Sequence, residues 1–133
     1  CQMVGFAVAS FRENGIGGLL AQGIGTSMLQ VPNIVRHPQI WIPEILSSAI
    51  LGPIAISKWI GMTNNATGSG MGTSGLVGQI MTWQTMTVSE SPVSVLIKIL
   101  LFHFILPAIV TLVFSEAMRK HNMIKKGDME LSI

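Results

Sequence analysis

Two short segments of this chain combine backbone freedom with neutral hydrogen-bonding side chains. The run Gly-Ile-Gly-Thr-Ser-Met-Leu at 23–29 (the first heptamer) returns 47 residues later as Gly-Met-Gly-Thr-Ser-Gly-Leu at 70–76 (the second heptamer), with five of seven positions identical. Amide and hydroxyl side chains can both donate and accept hydrogen bonds, which suits a ligand rich in hydroxyl groups. We predict a binding site built from both heptamers and their flanks: Gln22, Thr26, Ser27, Gln30, Asn33, Asn64, Asn65, Thr73, Ser74 and Gln79.

A structural interpretation of these residues stands beside the functional one. The Thr-Ser pairs are equally suited to cap half-helices, while Gly-x-Gly permits close helix packing. For Asn64 and Asn65 the functional interpretation is favoured, because their four side-chain hydrogen-bonding groups are hard to satisfy locally.

Two ionisable residues lie within apolar segments. Glu44 follows Pro43, where a carboxylate either stabilises a helix N-terminus at the interface or serves as a ligand acceptor or proton-linked group. His103 lies ten residues into the last apolar run, where an imidazole either contacts a ligand or bonds to a neighbouring helix. Both residues are included in the predicted binding site.

The composition is that of a membrane protein. Hydrophobic residues make up 49% of the chain, charged residues only 11%, and the mean hydropathy is +0.58, whereas soluble domains average about 25% charged residues. Eleven of the 14 glycines fall in 15–25 and 61–78. Irregular backbone at membrane depth survives only where protein or a water-filled cavity satisfies it, so paired interruptions of this kind indicate a transporter's binding site.

The predicted fold is an all-α membrane protein in which two Gly-rich re-entrant or broken-helix elements form an inverted repeat. In such a repeat Gly25 and Gly72 would have tight backbone geometry or close packing. The chain begins in an apolar run without an initiating Met, so we expect it to be the C-terminal part of a longer domain. The predicted elements of this single membrane domain (1–133) are a helix stub at 1–11, re-entrant segments at 15–31 and 63–81, transmembrane helices at 40–60 and 93–116, and a cytoplasmic tail at 117–133.

Positive charge predicts the orientation, because cytoplasmic loops carry the excess of Lys and Arg. If the basic tail lies inside, the loop 84–92 lies outside, and the two heptamers enter the membrane from opposite faces. The tail would meet anionic lipid headgroups rather than nucleic acid. Six basic residues then lie inside: Arg12, Arg36, Arg119, Lys120, Lys125 and Lys126.

Signatures of several other functions are missing from the sequence. The Gly-rich stretches lack the Gly-Lys-Ser/Thr ending of a phosphate-binding loop, and the single cysteine, Cys1, allows no disulfide within the chain. We assign no catalytic residue, no metal ligand and no cofactor.

Several segments together carry a resemblance to a known family. They are Gly-Gly-Leu-Leu-Ala-Gln-Gly at 17–23, Met-Leu-Gln-Val-Pro-Asn-Ile at 28–34, Pro-Gln-Ile-Trp-Ile-Pro at 38–43, Leu-Gly-Pro-Ile at 51–54, and the run from Asn64-Asn65 through Gly-Met-Gly-Thr-Ser-Gly-Leu-Val-Gly-Gln-Ile at 70–80. With them the chain resembles the membrane component IIC of the bacterial phosphotransferase system, and more narrowly the branch named after a perfringolysin regulatory protein.

The resemblance implies a function, partners and a location. It implies a homodimeric, all-helical permease that translocates a sugar across the bacterial cell membrane, with phosphorylation supplied by separate IIA and IIB components. The predicted spans make the topology multi-pass, and the basic tail predicts a cytoplasmic C-terminus. The alternative is a membrane-embedded sensor or regulator, of the toxin-regulator type, that binds a ligand without transporting it.

Overall fold

A computed structural model of the chain describes residues 1–131; the last two residues of the predicted tail, 132 and 133, lie outside the described part. Within 1–131 the regular secondary structure is entirely helical, so the prediction of an all-α fold is confirmed. The α-helices are α1 (Gln2–Ala9), α2 (Phe11–Leu20), α3 (Val31–Arg36), α4 (Ile42–Ala55), α5 (Ala66–Met71), α6 (Val77–Met86), α7 (Pro92–Ile99) and α8 (Leu106–Lys120).

Short 3-10 and π segments join several of these helices. A chain that passes from α-helix to 3-10 or π geometry keeps most backbone groups paired while changing direction. The 3-10 segments are Ser27–Gln30, Pro38–Trp41 and Ser74–Leu76, and the π segments are Ala21–Gly25 and Leu100–Ile105.

The last helical run is the part of the described chain suited to cross a membrane. Together α7, the π segment and α8 form a continuous helix, Pro92–Lys120, of 29 residues with a mean hydropathy of 2.4 in its most apolar window. At 1.5 Å per residue it is roughly 43 Å long, more than the hydrocarbon core requires. It contains the segment 93–116 that the sequence predicts. No other helix within 1–131 is both long and apolar enough to qualify.

Two prolines account for irregularities in the long helices. Pro107 has no N–H to donate to the His103 carbonyl, and the π segment Leu100–Ile105 ends two residues before it. Pro53 lies inside α4, which ends two residues later at Ala55, and the Met62 amide donates to the Ala55 carbonyl (2.9 Å) in the turn that follows. Helix α4 is shorter than the predicted segment 40–60: its 14 residues cover roughly 21 Å.

Helices α1, α4 and α8 pack against one another and form the main core. Phe6, Ala9, Ile40 and Met118 meet at one end of this bundle. Nearer its middle, Gly5 lies beside both Glu44 and Thr111. This order of contacts makes α1 and α8 parallel and α4 antiparallel to both of them.

The C-terminal segment packs back onto the bundle. Ile124 and Met129 are almost fully buried and join the core of α1 and α8. The Arg119 guanidinium donates to Glu13 Oε1 (3.0 Å), and the Met129 amide donates to Glu13 Oε2 (3.0 Å). Glu13 therefore holds both the end of α8 and the segment that follows it.

We predict that Glu13→Gln lowers the free energy of unfolding by about 3 kcal/mol, because it leaves the Arg119 guanidinium buried without a counter-charge. The Glu13 side chain is only 2% exposed and that of Arg119 is 14% exposed. Chemical unfolding of the protein in detergent measures the change.

A second ion pair in the same part of the molecule supplies the control. Arg12 and Glu116 lie 3.2 Å apart, with side chains 68% and 38% exposed. Glu116→Gln should change the free energy of unfolding by less than about 1 kcal/mol, as is usual for a solvated pair. Equal effects of the two substitutions would contradict the structural role given to Glu13.

Candidate functional site

The first heptamer interrupts regular helix at its centre. After the π segment Ala21–Gly25, Thr26 is extended (φ −159°, ψ 138°), and the 3-10 segment Ser27–Gln30 begins directly after it. The Met28 amide donates to Thr26 Oγ1 (3.1 Å). Thr26 therefore acts as the N-cap of the second half of this element.

The second heptamer interrupts helix in a different way. Gly72 ends α5 with φ +56° and ψ −132°, a backbone conformation that is open essentially to glycine. The Gly78 amide donates to the Gly72 carbonyl (2.7 Å), and a Cβ at Gly78 would overlap that carbonyl oxygen. The heptamer thus forms a tight loop between α5 and α6.

The two heptamers touch each other. Ser74 Oγ donates to the Gly25 carbonyl (3.0 Å). Gly72 has the tight geometry that the sequence predicts, but Gly25 does not: its φ is outside the left-handed region, and the nearest atom to an added Cβ is 4.0 Å away. An alanine would therefore fit at Gly25.

A polar cavity of about 410 Å³ lies beside the contact between the heptamers, within the range of small-molecule sites. Five predicted site residues line it: Ser27, Asn64, Thr73, Gln79 and His103. The other lining residues are Cys1, Gln2, Met3, Gly68, Ser69, Gly70, Met71, Gly72, Gly78 and Phe102. None of these described lining residues is Asp, Glu, Lys or Arg.

Polar atoms at this cavity lack partners. The Gln79 amide oxygen and nitrogen and the Thr73 hydroxyl are buried, and none forms a hydrogen bond within the described residues. A buried polar group without a partner costs roughly 1–3 kcal/mol. Two donors and two acceptors on adjacent walls of one cavity therefore mark a place where a ligand or ordered water completes the hydrogen bonding.

The two adjacent asparagines shape the cavity wall. Asn64 Nδ2 donates to the Gly78 carbonyl (3.1 Å), and Asn64 Oδ1 accepts from the Asn65 amide (2.9 Å). Asn65 Oδ1 accepts from the Gly68 amide (2.8 Å), which makes Asn65 the N-cap of α5. Asn64 lines the cavity, whereas Asn65 lies outside its lining.

Three other predicted residues form a separate network. Gln30 Nε2 donates to Gln22 Oε1 (2.8 Å) and to the Met129 carbonyl (2.9 Å). Asn33 Nδ2 donates to Gln30 Oε1 and to the Glu130 carbonyl, both at 2.9 Å. In this structure Gln30 and Asn33 therefore bind the C-terminal segment, Gln22 binds Gln30, and none of the three lines the cavity.

The predicted ionisable residues lie in different places. His103, on the π segment, lines the cavity, while Glu44 is buried among α1, α4 and α8. The sequence analysis missed Phe102, Gln2 and Met3, which also line the cavity. For Phe102 a signal existed, because it directly precedes His103 on the predicted span.

The comparison with known proteins agrees with this all-helical, apolar architecture. Residues 1–131 match the family described as "Phosphotransferase system, EIIC". The chain belongs to this family, the membrane components of the sugar-transporting phosphotransferase system. No curated protein and no solved structure matches the chain. The resemblance to the EIIC family inferred from the sequence is thus confirmed, while the narrower branch stays a prediction.

We predict that Gly78→Ala lowers the free energy of unfolding by about 2 kcal/mol or more, because the new Cβ overlaps the Gly72 carbonyl. It should also distort the cavity wall that carries Gln79. The matched control is Gly70→Ala. Gly70 lies in α5, just before the loop, and no atom lies within 4 Å of an added Cβ. Thermal unfolding of both variants should show a loss for Gly78→Ala alone.

Proposed function

We propose that this chain forms the sugar-binding part of an EIIC permease, with the sugar held in the cavity between the two heptamers. One observation carries the proposal: Thr73 and Gln79, which line a cavity bordered by both heptamers, carry buried donors and acceptors that have no partner within the described residues. Ser27, Asn64 and His103 add further polar groups around it. Sugar hydroxyls require such paired donors and acceptors.

The character of the lining supports a neutral, hydroxyl-rich ligand. Amide, hydroxyl and imidazole groups dominate the polar wall, and the Phe102 ring adds an apolar surface. A phosphorylated or carboxylated ligand would call for Arg or Lys, which the described lining lacks. This preference fits a permease that receives its sugar before phosphorylation by the IIA and IIB partner components.

The re-entrant, inverted-repeat arrangement is also part of the proposal. Its support is that both heptamers leave regular α-helix and that Ser74 of one bonds to Gly25 of the other. Broken helices that meet near the midplane form the substrate sites of many transporters. In this arrangement Thr26 and Thr73 lie within the bilayer.

The distribution of charge supports a cytoplasmic C-terminus. Arg12 pairs with Glu116 on α8 (3.2 Å), and the Arg119 side chain pairs with Glu13 (3.0 Å). These contacts gather the basic segments at one end of the last helix. At its other end Lys98 Nζ lies 2.6 Å from Glu90 Oε2, which offsets the positive charge placed outside.

Large apolar side chains cover much of the outer surface. Exposed examples on α4 and the last helix are Ile45, Ile50, Ile54, Leu96, Ile97, Ile105, Ile109 and Val113. Lipid tails and a second copy of the protein, as in the proposed homodimer, are the partners that such a surface requires.

The test of this function is sugar uptake. Membrane vesicles containing the protein should accumulate at least one sugar from a panel of radiolabelled hexoses and disaccharides when phosphoenolpyruvate and the soluble partner components are supplied. Gln79→Ala should weaken binding of that sugar about tenfold, the equivalent of one or two hydrogen bonds.

Gln30→Ala is the matched control, because Gln30 pairs with Gln22 and Met129 rather than lining the cavity. It should lower stability and leave the affinity of the folded protein for the sugar nearly unchanged. Saturable sugar binding without uptake by the wild type would favour the sensor over the permease.

The proposed orientation gives a further prediction. Single cysteines at Ser89 and at Lys125, both exposed, should be labelled by membrane-impermeant reagents from opposite sides when Cys1 is replaced by Ser. Ser89 should react from outside, because the basic segments stay in the cytoplasm. Labelling of both positions from the same side would rule out this topology.

A further inference from the structure

A cavity of about 380 Å³ on the outer surface of the protein has an apolar lining: no polar side chain within 1–131 contributes to it. Both π segments of the described chain form part of its wall, with Gly23 and Ile24 from the first and Phe104 and Ile105 from the second. Leu20, Ile24 and Ile105 are 41–52% exposed. The cavity therefore opens towards the lipid that surrounds the protein.

A second cavity, of about 460 Å³, continues the first. Val8 of α1 and Leu19 of α2 line both of them. On the last helix, lining residues recur at every fourth position: Phe104, Ala108, Leu112 and Glu116. Residues at this spacing share one face of a helix. The two cavities thus form one groove along α8, which we call the α1–α8 groove.

Charged residues lie at the far end of the α1–α8 groove. Arg12 and Glu116 line it there, with Arg12 Nη1 3.2 Å from Glu116 Oε1. The Arg12 side chain is 68% exposed, and a guanidinium has five N–H donors, so most of them stay open to another acceptor. Lys120, also exposed, lies one turn after Glu116 on the same face of α8. Two basic residues and one carboxylate leave this end of the groove with a net positive charge.

The length of the groove matches the acyl region of one membrane leaflet. From Phe104 to Glu116 the helix rises by roughly 18 Å, at 1.5 Å per residue. One leaflet contributes about 15 Å, which is half of the hydrocarbon core. A lipid chain that lies in the groove from the level of Phe104 therefore reaches the membrane interface close to Arg12.

We propose that the α1–α8 groove binds an anionic phospholipid, with one acyl chain in the apolar part and the phosphate at Arg12. Phosphatidylglycerol is the lipid tested. Arginine forms strong, charge-assisted hydrogen bonds with phosphate oxygens, and basic pockets between transmembrane helices bind anionic headgroups. The bound chain contacts both π segments and so joins the first heptamer to the last helix.

A second copy of the protein is the competing occupant, and the charge of the groove argues against it. Subunits related by a two-fold axis along the membrane normal present the same residues at the same depth. Each copy would bring its own basic end to the level of Arg12 of the other. The carboxylates near that level, Glu13 and Glu116, are already paired with Arg119 and Arg12. A lipid phosphate supplies the anion that a second copy lacks.

The experiment measures lipid binding by native mass spectrometry of the detergent-solubilised protein as each lipid is titrated. Dioleoyl phosphatidylglycerol should bind about fivefold more tightly, or better, than dioleoyl phosphatidylcholine, the preference expected of one net basic residue. Dihexanoyl phosphatidylglycerol has the same headgroup but short chains, so it should bind more weakly than the dioleoyl lipid. Equal affinity for the two headgroups would overturn the proposal, and so would equal affinity for the long-chain and short-chain forms.

Charge variants assign the headgroup to Arg12. Arg12→Gln should weaken phosphatidylglycerol binding about fivefold and leave phosphatidylcholine binding unchanged. The matched control is Arg36→Gln, which removes the same charge from an exposed residue of α3 outside the groove. It should leave both affinities nearly unchanged. Glu116→Gln should strengthen phosphatidylglycerol binding, because it removes the carboxylate beside the phosphate. Equal effects of Arg12→Gln and Arg36→Gln would overturn the site.

A bulky side chain in the groove tests the acyl part. Ala108→Phe fills the apolar cavity and should weaken binding of dioleoyl phosphatidylglycerol. Ile109→Phe is its control, because Ile109 is 53% exposed and lies outside the lining of both cavities. If Ala108→Phe separates a dimer in the same spectra and leaves lipid affinity unchanged, the groove holds a second copy and the proposal is wrong. Should Ala108→Phe fail to fold, the comparison of Arg12→Gln with Arg36→Gln decides.

Discussion

The structure depends above all on satisfying backbone groups where helices are broken. Lipid tails cannot form hydrogen bonds, so the backbone N–H and C=O groups of each interrupted turn must be paired within the chain. At the second heptamer the Gly78 amide bonds to the Gly72 carbonyl (2.7 Å), and at the first the Thr26 hydroxyl accepts from the Met28 amide (3.1 Å). These local hydrogen bonds allow two irregular loops to lie side by side, with a polar cavity next to them.

The sequence predicts the helical class and the two interruptions, because composition and glycine spacing are local signals. It also places Ser27, Asn64, Thr73, Gln79 and His103 in one site, and the structure brings these five to one cavity. The lining residues Gln2 and Met3 could not be anticipated, since their position follows from how α1 packs against distant segments. The exact lengths of the helices could not be predicted either: α4 ends at Ala55, where a turn follows, although the sequence stays apolar beyond it.

The roles of the amide side chains show the same limit of prediction from sequence. Gln22, Gln30 and Asn33 have the same chemistry as Gln79, and the sequence cannot separate them. The separation comes from contacts about a hundred positions apart, in which Gln30 and Asn33 bind the carbonyls of Met129 and Glu130. The C-terminal segment therefore satisfies Gln30 and Asn33, whereas the buried amide of Gln79 at the cavity has no partner within the described residues.

The π segment in the last helix has a consequence for insertions and deletions. Before it, Val95 and Ile99 pack with Met86. After it, Pro107, Thr111, Ser115 and Met118 are buried in α8, which packs on α1 and α4. The two halves of this helix thus pack against different helices, and the wider turn of the π segment lies between the halves. Removing a single residue from Leu100–Ile105 would turn one half by about 100° relative to the other. The length of this stretch, more than the identity of its apolar residues, is what natural variation must preserve.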